Sequence, residues 1–361
     1  MFNNIYKDKT VLLTGHTGFK GSWLALWLHQ LGAKVIGYSK DYPSEPTHFQ
    51  LLNLEITSII GDIRDRKHLQ EVFNTYQPDI IFHLAAQALV RYSYNEPVET
   101  FETNVMGTIN MYECALQTKS VKAFVNITSD KAYENKERLT GYKETDPMGG
   151  HDPYSASKGC AELVTSSYRN SFFQHTDKLL ASARAGNVIG GGDWALDRLV
   201  PDIFKATSKL ETVTIRNIHA TRPWQHVLEP LSGYLLLGQL LLEGNKKVAD
   251  GWNFGPDEDD TREVSNVIQH IKKHWEEVNF EVIPDKQNLH EANLLKLDCA
   301  KAAAQIQWKP VWHFEETIAY TTNWYKDYYS NPNLNIQERS LVDLNKYMAD
   351  AKAKGLHWSL K

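Results

Sequence analysis

The residues best suited to acid–base chemistry lie in the segment YSASK, where Tyr154 and Lys158 are four residues apart. In a helix, this spacing places both side chains on one face. A lysine ammonium beside a phenol lowers the pKa of the tyrosine from about 10, so that the phenolate can accept a proton near neutral pH. Ser129, at the end of the apolar run FVNITS, can bring a hydroxyl to the same reacting oxygen. The sequence therefore predicts a proton-transfer site.

Two oppositely charged residues, Asp130 and Lys131, follow Ser129 directly. A carboxyl group that stays protonated can donate a proton, and a lysine that is partly neutral can accept one. Because neighbouring opposite charges favour ionisation of both groups, we expect burial to dominate at Asp130. The pair could equally be an ordinary Asp and Lys at a strand end. Thr128 is expected to pack beside the site.

A glycine-rich loop, TGHTGFKG, follows the apolar run VLLT and directly precedes an amphipathic helical stretch. Glycines in this context are typical of a dinucleotide site, because they let a pyrophosphate approach the free N–H groups at the helix N-terminus. His16 and Lys20 either add donors and charge beside the phosphates or point into water. We expect cofactor contacts from the whole loop, namely Gly15, His16, Thr17, Gly18, Phe19, Lys20 and Gly21.

The adenosine end of such a cofactor is less clearly marked. The second strand, KVIGYS, is followed by Lys40 before the first acid, Asp41, so the choice between NAD and NADP stays open. Asp62 and Ile63, in GDIRD, are candidate adenine contacts, although Asp62 could instead cap a helix.

Short apolar runs alternate with helical stretches through the first half of the chain, as in VLLTG, GSWLALWLHQLGA and KVIGYS. This alternation predicts an α/β fold with a Rossmann-type doubly wound parallel sheet. The 361 residues exceed a usual single core, which indicates two domains or one domain with a large lobe; we expect the second part to be a smaller C-terminal α/β domain for substrate. The predicted division is 1–185 for the dinucleotide and 186–361 mainly for substrate, with some segments returning to the first domain.

Composition excludes several classes of partner. The net charge is −5, and no long basic stretch suggests nucleic-acid binding. The three cysteines lack metal-ligand spacing and fit a reducing compartment, so we expect no metal and a cytoplasmic protein. The apolar stretch at 231–242 is too short to span a bilayer, and the first residues show no signal pattern, so we expect no membrane association.

Longer strings carry a resemblance that runs over most of the chain. TGHTGFKGSWL, NITSDKAYEN, RAGNVIGGGDW and RPWQHVLEPLSGY resemble the extended short-chain dehydrogenase/reductase superfamily, and within it the nucleotide-sugar 4,6-dehydratases that act on CDP-glucose. The resemblance implies NAD as cofactor, CDP-glucose as substrate and a homodimer. It also implies a role in making deoxysugars for bacterial surface polysaccharides such as lipopolysaccharide O-antigen.

The same resemblance implies roles for the reactive residues. Tyr154 takes the proton of the sugar 4-OH while C4 gives hydride to NAD⁺, with Lys158 and Ser129 assisting. Asp130 as acid and Lys131 as base then eliminate water across C5 and C6, and hydride returns to C6. In dTDP-glucose relatives the pair is usually Asp then Glu, so Lys131 replaces a glutamate here.

Further contacts are implied by resemblance alone. Asn187 is similar to the family's amide contact with the sugar nucleotide. For the diphosphate, which guanidinium groups bind well, Arg222 is the first candidate, ahead of Arg198 and Arg216. Asn104 is placed beneath the nicotinamide or ties loops together, Gln87 is similarly placed on the substrate side, and the preceding residues Leu84, Ala85 and Ala86 are expected to contact cofactor.

Two alternative functions remain open. A nucleotide-sugar 4-epimerase uses the same Tyr, Lys and NAD but has no C6 hydroxyl to expel, so Asp130 and Lys131 favour a dehydratase. A non-catalytic cofactor sensor would bind the dinucleotide as a signal. The presence of Tyr154, Lys158 and Ser129 together argues against the sensor.

Overall fold

A seven-stranded parallel sheet organises the structure, a computed structural model that describes residues 1–195, 198–283 and 294–360. The strands of the chain are, in order, β1 Thr10–Thr14, β2 Lys34–Ser39, β3 Thr57–Ile60, β4 Ile80–His83, β5 Ala123–Ile127, β6 Leu179–Ala185, β7 Val188–Ile189, β8 Thr212–Ile215, β9 Thr221–Pro223, β10 Gln225–His226, β11 Gly251–Phe254, β12 Thr261–Glu263 and β13 Asn279–Val282. The large sheet has the order β11-β6-β5-β4-β1-β2-β3, and each neighbouring pair is parallel.

Helices cover both faces of this sheet. They are α1 Phe19–Gln30, α2 His48–Leu52, α3 Arg66–Tyr76, α4 Val90–Asn95, α5 Pro97–Phe101, α6 Gly107–Gln117, α7 Pro153–Ser171, α8 Leu199–Ser208, α9 Leu228–Leu242, α10 Val264–His274, α11 Ala300–Gln305, α12 Phe314–Ser330, α13 Ile336–Ala353 and α14 His357–Leu360. A π-helical turn, Glu102–Met106, joins α5 to α6.

The core shows why the sheet is wound on both sides. Along β1, Val11 and Leu13 pack in a cluster with α1 and α9, whereas Leu12 between them packs in a second cluster with α3 and α6. Successive side chains of a strand point to opposite faces, so a strand covered on both faces is apolar throughout. This arrangement confirms the predicted doubly wound parallel sheet.

Smaller strand pairs lie outside the large sheet. β7 pairs with β10, β8 with β13, and β9 with β12. Residues 251–254, by contrast, form β11 on the outer edge of the large sheet, where Gly251 is in register with Ser182 of β6. Segments from the second half of the sequence therefore contribute both to these pairs and to the large sheet.

The apolar stretch at 231–242 lies in α9 and is largely buried in the core. Over the described residues, none of the helices has both the length and the apolar character needed to cross a membrane.

Candidate active site

Ser129 and Asp130 begin a tight turn at the carboxyl end of β5. The Ser129 hydroxyl caps the 3₁₀ turn Asp130–Ala132 by accepting the Lys131 N–H at 3.2 Å, and it donates to Asp130 Oδ1 at 3.0 Å. Burial raises the pKa of Asp130 above its ordinary value, against the opposing effects of Lys131, the Ser129 hydrogen bond and Lys20. Asp130 therefore has the environment of a proton donor.

Tyr154 and Lys158 lie in the first turns of α7. Pro153 occupies the first helical position, and Asp152 caps the helix by accepting the Ser155 N–H at 2.9 Å. The Ser129 side chain lies close enough to the Tyr154 hydroxyl to lower its pKa, so the start of α7 faces the turn after β5.

The electrostatics of this pair differ from the sequence prediction. Burial raises the pKa of Tyr154 to about 12, although the Ser129 hydrogen bond opposes the change. Burial also lowers the pKa of Lys158 to about 8, opposed by the charge of Glu162. The prediction that the phenol pKa lies below its ordinary value is therefore wrong for this structure, because desolvation by burial is the largest effect on Tyr154 and raises its pKa.

Lys20 lies near the candidate catalytic residues Asp130 and Lys158. Burial lowers its pKa to about 8; the charge of Asp130 opposes this shift, and those of Arg198 and Lys158 add to it. The side chain is half-buried. Its charge is thus within reach of the groups around the turn that follows β5.

The glycine loop packs closely against its own backbone and against the residues after β4. Gly15 has φ of +76°, and a Cβ there would lie 2.8 Å from the Ala85 nitrogen. A Cβ on Gly21 would lie 2.0 Å from the Gly15 carbonyl oxygen. Gly18 is the N-cap of α1, and no side chain caps that helix end. The cradle and the uncapped helix N-terminus fit a pyrophosphate.

His16 has a different environment from the rest of the loop. Its ring is buried, with Nδ1 at 2.8 Å from the Ser39 hydroxyl and Nε2 at 2.7 Å from the Ser58 hydroxyl. It also meets the Phe49 ring edge-to-face. Because burial lowers its pKa to about 4, the ring is neutral at neutral pH and braces the loop against β2 and β3, rather than adding charge beside the phosphates.

The end of β2 is also tied to the loop. Thr17 donates from Oγ1 to the Asp41 carbonyl at 2.7 Å, and its N–H meets the Ser39 hydroxyl at 3.3 Å. Lys40 forms an ion pair with Glu99 at 2.8 Å. Ser39 therefore ends β2 beside the glycine loop, and the Lys40 ammonium is paired with the Glu99 carboxylate.

Two candidate adenine contacts lie after β3. Both carboxylate oxygens of Asp62 accept hydrogen bonds from Arg64, which lowers the pKa of Asp62 against the effect of burial. Ile63 is buried, and a Cβ on Gly107 would lie 2.6 Å from its Cδ1. The apolar Ile63 side chain thus packs on the start of α6.

The residues after β4 lie beside the glycine loop. The Leu84 N–H donates to the Thr14 carbonyl at 3.2 Å, and the Ala85 N–H to the Thr14 hydroxyl at 3.1 Å. Ala86 follows and is half-buried. Residues 84–86 therefore form the wall opposite Gly15.

Asn104 connects this wall to the catalytic helix. Its Oδ1 accepts the Gln87 N–H at 2.8 Å, while its Nδ2 donates to the Gln87 carbonyl at 3.0 Å and to the Ser157 hydroxyl at 2.8 Å. The Gln87 amide donates to Thr100 at 2.9 Å. Asn104 thus ties loops together, one of the two roles that the sequence left open.

The substrate-side candidates occupy different surroundings. Asn187 is exposed directly after β6. Arg198 pairs with Asp193 at 2.9 Å, and its charge acts on Tyr154 and Lys20. The structure therefore brings Arg198 near Tyr154 and Lys20.

The other two arginines lie on the small strand pairs. Arg216 is exposed after β8. Arg222 lies on β9 and donates to the Thr221 carbonyl at 3.0 Å. The next residue, Pro223, lies near Asp130, since both approach Gly186. A Cβ placed on Gly186 would be 3.8 Å from Pro223 Cγ and 3.0 Å from Asp130 Oδ2. The end of β9 therefore lies near the turn that follows β5.

The segment between the turn and α7 is pinned to the later chain. Tyr142 donates its N–H to the Lys296 carbonyl at 2.9 Å and stacks on Tyr133 with ring centroids 5.3 Å apart. The Asn253 amide donates to the Tyr142 carbonyl at 2.8 Å. This segment is thus held over the end of the sheet by residues from β11 and beyond.

Sequence reasoning missed a buried ion pair beneath the site. Arg184 at the end of β6 and Glu162 on α7 meet at 2.8 Å. The available signal was spacing, because Glu162 lies four residues after Lys158 and so shares its face of the helix.

Within residues 1–195, 198–283 and 294–360, His, Cys, Asp and Glu side chains form no group of three or more that could hold a metal ion.

Comparison with known proteins gives consistent matches over most of the chain. The family described as GDP-mannose 4,6 dehydratase matches residues 12–321. CDP-glucose 4,6-dehydratase from Salmonella typhimurium is 49% identical over 330 residues, which cover 90% of this chain and 92% of that protein. An epimerase structure from Methanothermobacter thermautotrophicus aligns with a TM-score of 0.80 at 24% identity, covering 91% of this chain and 96% of that one.

A further solved structure is dTDP-glucose 4,6-dehydratase from Bacillus anthracis in complex with NAD. It aligns with a TM-score of 0.74 at 19% identity and covers 88% of this chain and 97% of that one. At these identities the structural matches establish a shared fold.

Proposed function

Because the chain belongs to the GDP-mannose 4,6-dehydratase family, we propose that it is an NAD-dependent dehydratase that converts CDP-D-glucose to CDP-4-dehydro-6-deoxy-D-glucose. The substrate is inferred from the 49% identity with the Salmonella enzyme, 92% of which the chain spans. The observation that carries the chemistry is that the Ser129 hydroxyl donates to the buried Asp130 at 3.0 Å and also lies close enough to Tyr154 to lower the pKa of its phenol. A base for the 4-OH and an acid for the C6 hydroxyl thus lie side by side.

NAD fits the glycine cradle at the start of α1. The N–H groups of Phe19 and Lys20 at the start of α1 bind the pyrophosphate, whereas the Gly18 N–H already donates to the Gly15 carbonyl at 3.1 Å; residues 84–86 face the site across Gly15. Ile63 and Asp62 line the adenine side. When bound, NAD accepts hydride from C4 of the sugar and returns it to C6, so the overall reaction is redox-neutral.

Tyr154 and Ser129 act on the sugar 4-OH. Ser129 binds the reacting oxygen, and Tyr154 takes its proton as C4 becomes a ketone. The raised pKa of Tyr154 disfavours the phenolate, so a positive charge must come close to the phenol before it acts as a base. The Lys158 ammonium, on the same face of α7, supplies that charge.

Asp130 and Lys131 carry out the elimination. The new ketone acidifies the C5 proton, which Lys131 removes, while Asp130 protonates the leaving C6 hydroxyl. Because burial raises the pKa of Asp130, the acid can keep its proton until the hydroxyl departs. A 4-epimerase has no such step and no use for this acid.

Residues 186–361 mainly hold the sugar nucleotide in this proposal. Asn187 contacts the sugar nucleotide. Arg222 on β9 and Arg198 near Tyr154 bind the diphosphate, with Arg216 as a third candidate.

The chain is proposed to act as a cytoplasmic homodimer. Large apolar side chains are exposed around the π-helical turn and on α7, including Met106 with 51% and Leu163 with 60% of its surface exposed. Such a patch on two neighbouring helices suits pairing with a second copy. The three free cysteines fit a reducing compartment.

The test is turnover of CDP-glucose beside dTDP-, UDP- and GDP-glucose, with and without added NAD, followed by the alkali absorbance of the 4-keto-6-deoxy product. Product from CDP-glucose alone, lost in Tyr154→Phe and in Asp130→Asn, is the expected result. Conversion only to a C4-inverted sugar would instead establish an epimerase. Bound NAD without any reaction would establish a cofactor sensor.

A further inference from the structure

A buried polar cluster lies beneath the catalytic helix. Its centre is the Glu162 carboxylate, which accepts hydrogen bonds at Oε2 from Arg184 and from Ser182, both at 2.8 Å, and at Oε1 from the Thr128 hydroxyl. Glu162 and Arg184 are 4% and 5% exposed. Every partner of the carboxylate therefore comes from β6 or from the end of β5.

The cluster extends from Arg184 toward the segment over the site. Arg184 donates to the Tyr133 hydroxyl at 2.6 Å, and Tyr133 donates to Asn253 Oδ1 at 2.8 Å. Tyr133 directly follows the catalytic turn, and Asn253 lies on β11. The cluster thus connects the two ends of the catalytic segment to the sheet.

Stability alone does not account for a buried ion pair at this position. Removing two charges from water costs about as much as their attraction returns, and well-packed apolar residues often serve equally well. The charge of Glu162 therefore needs an explanation other than stability, and the residues near Glu162 on α7 suggest one.

Lys158 lies one helical turn before Glu162 and is 6% exposed. Two other elements place titratable groups near it: His83 on β4, which burial keeps neutral by lowering its pKa to about 3, and Lys20 on α1, whose positive charge opposes that of Lys158. Tyr154 lies on the same helix face. Burial and Lys20 thus disfavour the ammonium, whereas the Glu162 carboxylate favours it.

Three ionisable side chains besides Lys158 lie close enough to Glu162 for its charge to affect them. Arg184 on β6 pairs with it directly, Tyr112 faces it from α6, and Arg169 lies further along α7. The Arg184 pair and the three hydrogen bonds outweigh burial and keep the pKa of Glu162 below its ordinary value. The carboxylate is therefore ionised wherever the enzyme would work.

We propose that Glu162 is a positioning residue for the reaction: held by Arg184, its carboxylate fixes Thr128 behind the catalytic turn and stabilises the ammonium form of Lys158. This inference rests on the proposed dehydratase function. Glu162 itself touches neither the sugar nor the cofactor site.

The test is the pH profile of kcat/KM for CDP-glucose at saturating NAD, because that profile reports the pKa values of the free enzyme. In Glu162→Gln, the limb that Lys158 controls is expected to move toward acid by about one to two pH units, as for unit charges one helical turn apart at an effective dielectric constant near 20. The matched control is Ser182→Ala, which removes a hydrogen bond from the same carboxylate but no charge. Its limbs are expected to stay in place.

A double variant covers the case in which Glu162→Gln folds poorly around an unpaired arginine. Glu162→Gln with Arg184→Met removes both charges, so the cluster carries no uncompensated ion while Lys158 still lacks its acid; an acid-ward shift is again expected, smaller than in Glu162→Gln because the positive charge of Arg184 is removed as well. Unmoved limbs in an active Glu162→Gln or double variant, or an equal shift in Ser182→Ala, would overturn the inference. If the unaltered protein made no keto sugar, the proposed function would fail instead.

Discussion

Replacing Glu229 with glutamine is expected to change how the stability of the protein depends on pH. Glu229 lies at the start of α9 and is fully buried. Its carboxylate accepts the Trp312 N–H at 2.7 Å, the Val311 N–H at 2.9 Å and the Tyr347 hydroxyl at 2.8 Å. Burial nevertheless outweighs these hydrogen bonds and raises its pKa from 4.5 to about 7.

The sign follows from proton binding. Between pH 4.5 and about 7 the folded protein keeps the Glu229 proton, whereas the unfolded chain releases it. The stabilisation of the folded state that comes from proton binding at Glu229 is therefore fully present below pH 4.5 and is lost as pH rises through 7. A shift of this size corresponds to roughly 3 kcal/mol in total, of which about 2.5 kcal/mol is lost between pH 5 and 8.

Glutamine is neutral at every pH, so it carries no such dependence. The free energy of unfolding of the unaltered protein minus that of Glu229→Gln is expected to fall by about 2.5 kcal/mol from pH 5 to pH 8. Urea-induced unfolding at several pH values measures it, and other titrating groups, such as Asp343, cancel in the difference. A difference that stays constant, or that rises with pH, would refute the reasoning about burial.

Three further changes test the site and the assembly. Gly21→Ala is expected to weaken NAD binding by roughly tenfold or more, because its Cβ would meet the Gly15 carbonyl at 2.0 Å; unchanged affinity in a calorimetric titration would contradict the cradle. Lys131→Gln should slow elimination but spare C4 oxidation, so that reduced cofactor accumulates with CDP-glucose; absence of that absorbance would argue against Lys131 as the base. Leu163→Glu should convert a dimer to a monomer in gel filtration, whereas Leu210→Glu, at a position 77% exposed elsewhere on the surface, should not.

Local patterns in the sequence were sufficient for the fold. The strand, glycine loop and helix from Thr10 to Gln30 are contiguous, and a short apolar run, a set of glycines and a longer apolar run mark them one after another; both β1 and α1 are buried almost throughout, without an alternating pattern. The same holds for the placement of Tyr154 and Lys158, since spacing within one helix fixes their shared face. Predictions succeeded where the residues involved are close in sequence.

Side-chain environments formed by residues far apart in the sequence could not be predicted from local patterns. His16 looks like a phosphate ligand in the string TGHTGFKG, but Ser39 and Ser58 enclose its ring from two later strands. The pKa of Tyr154 likewise depends on how deeply the helix is buried, which four-residue spacing does not report. Glu162 and Arg184 meet across 22 residues, so only the fold reveals their pairing.

The position of β11 has a consequence for protein synthesis. The outer edge of β6 is hydrogen-bonded only once residues 251–254 have been added, long after β6 itself leaves the ribosome. Until then the nascent chain carries an open, apolar strand edge of the kind that recruits other strands. Asn253 also arrives with β11, so the hydrogen bond that holds Tyr133 beside the catalytic turn forms in the same late step. The closing of the sheet edge and the fixing of Tyr133 thus depend on the same late segment of the chain.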